Sequence, residues 1–190
     1  MCDALLQTPV FLTVLKLIDM ELAAELRAAC CQYCHGVLDQ ADFPRKPRGV
    51  PANLRDEHDS RFSFCCRSCR KRHTAMSVRF LGRRVYLGLM VVLLSAKHVM
   101  EMATGARVAQ ALAVPMRTLE RWRNWWQERF MQTKLWQAQC ARFMPPVSST
   151  TLPGELLHRF ADGATPGLPA LLVFLTPLSI GVIFDVVDGQ

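Results

Sequence analysis

The sequence predicts a mainly α protein with one small β ribbon, the ribbon being followed by a helical domain that contains a helix-turn-helix. Three observations predict it. Apolar residues recur at three- and four-residue spacing before residue 30 and after residue 84, β-type alternation is confined to the stretch between, and two close-set cysteine pairs pin that stretch. The 190 residues are about half apolar and 21% charged, which excludes a disordered chain and suits one ordinary domain or two small ones. The order read from the pattern is an N-terminal amphipathic helix over 1–29, a ribbon with a basic loop over 30–83, a helix-turn-helix domain over 84–145 and an apolar, proline-containing segment over 146–190.

In the first element, Phe11, Leu15, Ile18, Leu22 and Leu26 share one helical face. Gly36-Val-Leu begins a strand, and Arg61-Phe-Ser-Phe-Cys forms a second, with Phe62, Phe64 and Cys66 on one side. Between them, Phe43 to Pro51 holds three prolines and a glycine and reads as a loop. Val85–Ala96 is apolar but too short to span a bilayer, so it is expected as a core helix. Breaks fall near Ala103–Gly105 and at Pro115. Leu168–Phe184 is uncharged but interrupted by Pro169, Pro177 and Gly181, and is expected to pack on the core or on a partner rather than enter a membrane.

Six of the eight cysteines form two clusters, which a disulfide framework does not do. The N-terminus has Asp3 where a secretory signal carries positive charge, and the expected location is the cytoplasm. Cys31-Gln-Tyr-Cys34 and Cys66-Arg-Ser-Cys69 are separated by 31 residues. Four thiolates suit tetrahedral Zn²⁺ with no open position, hence a structural zinc ribbon. The spacer exceeds the usual two-pair template of roughly 15–20 residues, and the Pro/Arg loop absorbs the excess. Cys30 or Cys65 could replace a neighbour, but the two-residue spacing favours Cys31, Cys34, Cys66 and Cys69. His35, His58 and His73 are possible substitute ligands but are expected rather to be solvated or phosphate-facing, and Cys2 and Cys140 to be unpaired thiols. No βαβ pattern supports a redox role.

Charge is lopsided. Twelve of the 23 Lys/Arg residues, but three of the 16 acids, lie between Arg45 and Arg84, so this block exceeds the whole chain's +7. Such a patch is the footprint of a polyanion. Arg45, Lys46, Arg48, Arg70, Lys71, Arg72, Arg83 and Arg84 are its candidate contacts. Residues 105–130, GARVAQALAVPMRTLERWRNWWQERF, add a helix-turn-helix: a helix over Ala106–Leu112, a turn over 113–115 and a second helix from Met116. Leu119, Trp122 and Trp126 are expected inward. Arg117, Thr118, Arg121 and Asn124, with Arg123 alongside, are expected to face duplex DNA.

These motifs in this order (a CxxC pair, Ala41-Asp-Phe-Pro-Arg-Lys-Pro-Arg-Gly-Val50, the run RFSFCCRSCRKRHTAMSVRFLGRRVYLG and a TLERW helix) resemble small zinc-ribbon proteins encoded beside bacterial transposable elements. The layout over residues 30–160 is also similar to the N-terminal DNA-binding region of insertion-sequence transposases. The resemblance implies structural zinc at Cys31, Cys34, Cys66 and Cys69 and binding of double-stranded DNA. It further implies a transposase or another protein as partner, with homodimerisation compatible. The chain departs from a full transposase: Glu155, Asp162, Asp185 and Asp188 follow the helix-turn-helix in a proline-broken tail, and no His-x-His motif occurs. A non-catalytic accessory or regulator is therefore expected. The competing expectation is a zinc-ribbon module that docks on a larger enzyme or touches RNA.

Overall fold

The computed structural model describes residues 9–48, 50, 54–82, 84–100, 107, 110, 114–161 and 167–180. It is mainly helical with a small antiparallel sheet, and its described residues fall into two compact units: 9–87 with 175–180, and 88–174.

The ribbon unit begins with helix α1 (Pro9–Ala28). Its buried line is Leu12, Leu15, Asp19 and Ala23, flanked by half-buried Phe11, Ile18, Leu22 and Leu26. The inward face is thus centred away from the expected stripe, because Asp19 is drawn inside by polar partners. Arg79 Nε lies 2.6 Å from its carboxylate, Val78 N–H donates to it at 2.7 Å, and Ser77 Oγ donates as well.

Strands β1 (Leu38–Gln40), β4 (Ser63–Cys66) and β5 (Arg72–Thr74) form an antiparallel sheet in the order β1-β4-β5, with Leu38 opposite Cys66 and Phe64 opposite His73. A second pair joins β2 (Phe43–Pro44) to β3 (Ser60–Arg61), with the short helix α2 (Arg55–His58) just before β3. The stretch from Phe43, expected as loop, therefore opens as a strand: Phe43 pairs with Arg61 before the prolines take over. Alternation along β4 buries Phe64 and Cys66 on one side, where Ala23, Cys31, Leu38 and Ala75 complete a small core and Phe62 packs against it. The other parity is buried too, as Arg61 and Ser63 show. A 3-10 segment, Thr176–Ile180, belongs to this unit: Ser179 accepts from Arg61 and from the Ser77 N–H.

The second unit is built on α3 (Gly88–Met100), whose residues 88–96 are buried or nearly so, as expected for a core helix. It packs against α4 (Met116–Asn124), α6 (Gly154–Ala161) and α7 (Gly167–Phe174). Beyond α4 the chain continues as a π-helical stretch, Trp125–Arg129, a 3-10 turn and α5 (Lys134–Gln139). A run of rings holds this part together: Trp126 lies 4.9 Å from Phe130, Phe130 5.2 Å from Trp136, and Trp136 stacks on Phe143 at 5.6 Å. No helix among the described residues is long and apolar enough to cross a membrane.

Candidate metal centre and basic surfaces

The two cysteine pairs occupy turns of the same construction. In the first, Cys31 N–H donates to Gly36 O at 3.0 Å and His35 N–H to Cys31 O at 2.8 Å. In the second, Cys66 N–H donates to Lys71 O at 2.9 Å and Arg70 N–H to Cys66 O at 3.0 Å. His35 and Arg70, the residues after each second cysteine, both take left-handed backbone, at φ 55° and 60°. The first turn hangs from the end of α1, where Cys30 at φ 59° breaks the helix. The second turn joins β4 to β5.

This pairing brings four sulfurs together. Cys31 Sγ is 3.5 Å from Cys69 Sγ, Cys34 Sγ is 3.5 Å from Cys66 Sγ, and all four lie within 4.8 Å of one another. Such a cluster can hold a metal ion. Gly36 makes room for it: a Cβ there would sit 2.8 Å from Ser68 Oγ, 3.1 Å from Cys66 Sγ and 3.3 Å from Cys34 Sγ. The alternatives are turned away. Cys65 Sγ points to the Cys66 and Arg70 carbonyls, and Cys30 Sγ to Ala28 O.

The sulfurs are electrostatically unequal. The Cys69 N–H donates to Cys66 Sγ and, with the neighbouring donors, holds that thiol down at about 6. At Cys69, the Lys71 N–H lowers the pKa, yet burial and the three crowding sulfurs outweigh it and push the thiol up to about 12. Four adjacent thiols cannot all ionise without a cation between them.

Two histidines depart from expectation. His58 is fully buried, its ring nitrogens facing Leu54 O at 3.1 Å and Leu12 O at 3.2 Å, where it ties α2 to α1. His73 is buried with Nε2 3.3 Å from Cys31 Sγ, so it touches one of the clustered sulfurs without joining the four, and Tyr33 packs against its ring. Neither is solvated or phosphate-facing; His35 is exposed. Of the three histidines weighed as substitute ligands, His73 alone touches one of the four sulfurs, and its place two residues before buried Ala75 on an alternating strand puts it on the Cys66 side.

The basic block divides. Lys46, Arg48, Arg70, Lys71 and Arg72 are exposed, with Lys71 Nζ 3.7 Å above the Tyr33 ring. Arg45 and Arg84 are half-buried instead. Arg45 donates to Gly82 O at 2.8 Å, Arg84 Nη1 lies 3.5 Å from Leu81 O, and burial lowers the pKa of both. Arg61 and Arg79 are buried outright. The exposed basic surface is correspondingly smaller than the composition suggests, because these side chains fold onto carbonyls, Asp19 and the Phe80 ring. Arg83 lies outside the described residues.

On α4, Leu119 and Trp122 are buried, and Trp126 follows them inward. Arg117, Arg121, Arg123 and Asn124 are exposed. Thr118 is 8% exposed and so is not on the outer face. It stands four residues before Trp122 and shares the inward stripe. The expected first helix, Ala106–Leu112, lies outside the described residues apart from Arg107 and Gln110. No protein-family model, curated protein or solved structure matches the chain.

Proposed function

We propose that the protein is a zinc-stabilised, non-catalytic binder of double-stranded DNA. Zinc is the metal that the donor set favours: four thiolates from two turns close a tetrahedron whose edges, at Zn–S of about 2.3 Å, are about 3.8 Å long. The single observation that supports DNA binding is the outer face of α4. Arg117, Arg121 and Asn124 are exposed at four- and three-residue spacing with Arg123 beside them, over an anchored Leu119–Trp122 stripe. Glu120 is that helix's one acid. A rigid helix bearing exposed guanidiniums is what a major groove accepts, and arginine forks suit guanine edges and phosphates alike. The ribbon separately offers Arg70, Lys71 and Arg72 at the second metal turn. An accessory or regulatory role beside a transposable element rests on the order of the motifs in the sequence.

The test is a titration of labelled duplexes with metal-loaded protein and with Arg121→Ala. The variant is expected to melt as wild type does. It should bind a preferred duplex more weakly by about 1–3 kcal/mol if Arg121 reads a base, or every duplex about equally if it grips phosphate. Wild-type affinity of Arg121→Ala for all duplexes would overturn the assignment. A second reading, a ribbon that docks on a larger protein or touches RNA, is favoured by the exposure of Tyr33 (56%) and Val37 (53%) beside the first metal turn.

A further inference from the structure

The two cysteine turns share a backbone plan but differ in what faces their first sulfur. In the second turn the Cys69 N–H donates to Cys66 Sγ at 3.5 Å. Among the described residues no backbone N–H does the same for Cys31 Sγ, and the polar hydrogen that can reach it is on the His73 ring, whose Nε2 lies 3.3 Å away. His73 comes from the other half of the site. It stands on β5 after the second turn, opposite Phe64 of β4, and therefore shares the inward side with Phe64 and Cys66. Its side chain thus reaches from the strand of the second cysteine pair to a sulfur of the first. The contact is dry: Cys31 is fully buried and His73 is 7% exposed. The ring is also covered. Tyr33, between the two cysteines of the first pair, packs on it with ring centres 5.6 Å apart, and Lys71 Nζ sits 3.7 Å above the Tyr33 ring.

We infer that His73 is a positioning residue of the metal centre, donating its Nε2–H to the Cys31 sulfur without being a ligand itself, an assignment that rests on reading the four-cysteine cluster as a metal site. A metal-bound thiolate has no proton and can only accept, so a neutral imidazole beside it carries its proton on Nε2. Four thiolates around a divalent ion leave negative charge over. At Cys31, where water is excluded, the imidazole N–H is the group that can take up part of it. The same bond fixes the Cys31 side chain against β5 and so ties the first turn to the second. Ligation by His73 is not needed, since the four sulfurs already lie within 4.8 Å of one another, and the ring would have to displace one of them.

NMR of the unsubstituted full chain loaded with ¹¹³Cd tests this without requiring any variant to fold. The expected result is a coupling between ¹¹³Cd and the His73 Hε2 proton, carried through the Cys31 sulfur, with the imidazole in its Nε2–H tautomer. A direct one-bond coupling from ¹¹³Cd to a His73 ring nitrogen would make His73 a ligand and overturn the inference. An Nδ1–H tautomer with no coupling at Hε2 would overturn it as well. Zinc affinity, measured against a chromophoric chelator, supplies the second readout. His73→Phe is expected to bind zinc about ten- to a hundredfold more weakly, as the loss of a partner to a ligating group does. His73→Gln, which keeps an N–H near the position of Nε2, should recover most of that loss. Equal weakening in both variants would assign His73 to packing alone, and unchanged affinity in His73→Phe would leave it no role at the metal; either result overturns the inference. A chain that takes up neither cadmium nor zinc overturns the metal reading and the role of His73 with it, whereas metal held by four sulfurs without the Hε2 coupling removes the role of His73 and leaves the metal reading standing.

Discussion

Asp19 occupies a helix position where a leucine would continue the apolar line of α1, and both it and Arg79 are 1% exposed. Its carboxylate takes a guanidinium, a backbone N–H and a hydroxyl, so its lone pairs are used and the charge is matched. Breaking a buried pair strands its partner. Asp19→Ala is therefore expected to cost about 3–5 kcal/mol in urea unfolding, whereas replacing both partners by apolar residues should recover much of that loss. Periodicity alone cannot reveal such a residue, since an acid on an apolar face reads as the edge of the stripe until its partner sixty residues away is known. The four clustered cysteines were legible for the opposite reason: spacing within each pair fixes the turn, and the turn fixes where the sulfurs point. Thr118 was misplaced because a small hydroxyl residue reads equally well on either side of a helix, and its four-residue offset from Trp122 decides the matter.

Among the elements, α1, the ribbon strands, α3 and α4 follow patterns visible in the chain, each with its own period. The stretch after α4 does not. Phe130 N–H bonds back five residues to Trp125 O, and this widened turn lets both Trp125 and Trp126 go inward, although consecutive residues of an α-helix diverge by about 100°. The short β2–β3 pair was hidden by the prolines that follow Phe43. Trp122 is the anchor that sets the outer face of α4. Trp122→Ala is expected to lose about 3–5 kcal/mol, measured by denaturant unfolding, and to weaken DNA binding only as far as it unfolds the helix. A variant that bound poorly while fully folded would place Trp122 in the interface itself.

At the scale of the whole molecule, the helix expected as a separate N-terminal element belongs with the ribbon, and so does the 3-10 segment near the other end of the described chain. Contacts so distant in sequence, such as Arg61 with Ser179, leave no local pattern to read. The small ribbon core counts Cys31 and Cys66 among its own buried members, so a metal ion held by the four cysteines would tie its stability to that ion. Chelation is expected to abolish hydrogen-exchange protection over the ribbon strands. The four tryptophans all lie in the other unit, and their emission should stay close to that of the loaded protein. Loss of both signals together would contradict the assignment of the metal to the ribbon alone.

Duplex affinity of the metal-loaded protein across a salt series is the most direct test of the central claim. Arginines on phosphates release counterions, so log K should fall linearly with log salt, by about 0.9 per phosphate neutralised, with Arg121→Ala lowering the slope by about one contact if it grips phosphate. Binding that is absent at low salt, or indifferent to salt, would contradict the account and leave the ribbon as a protein-docking module.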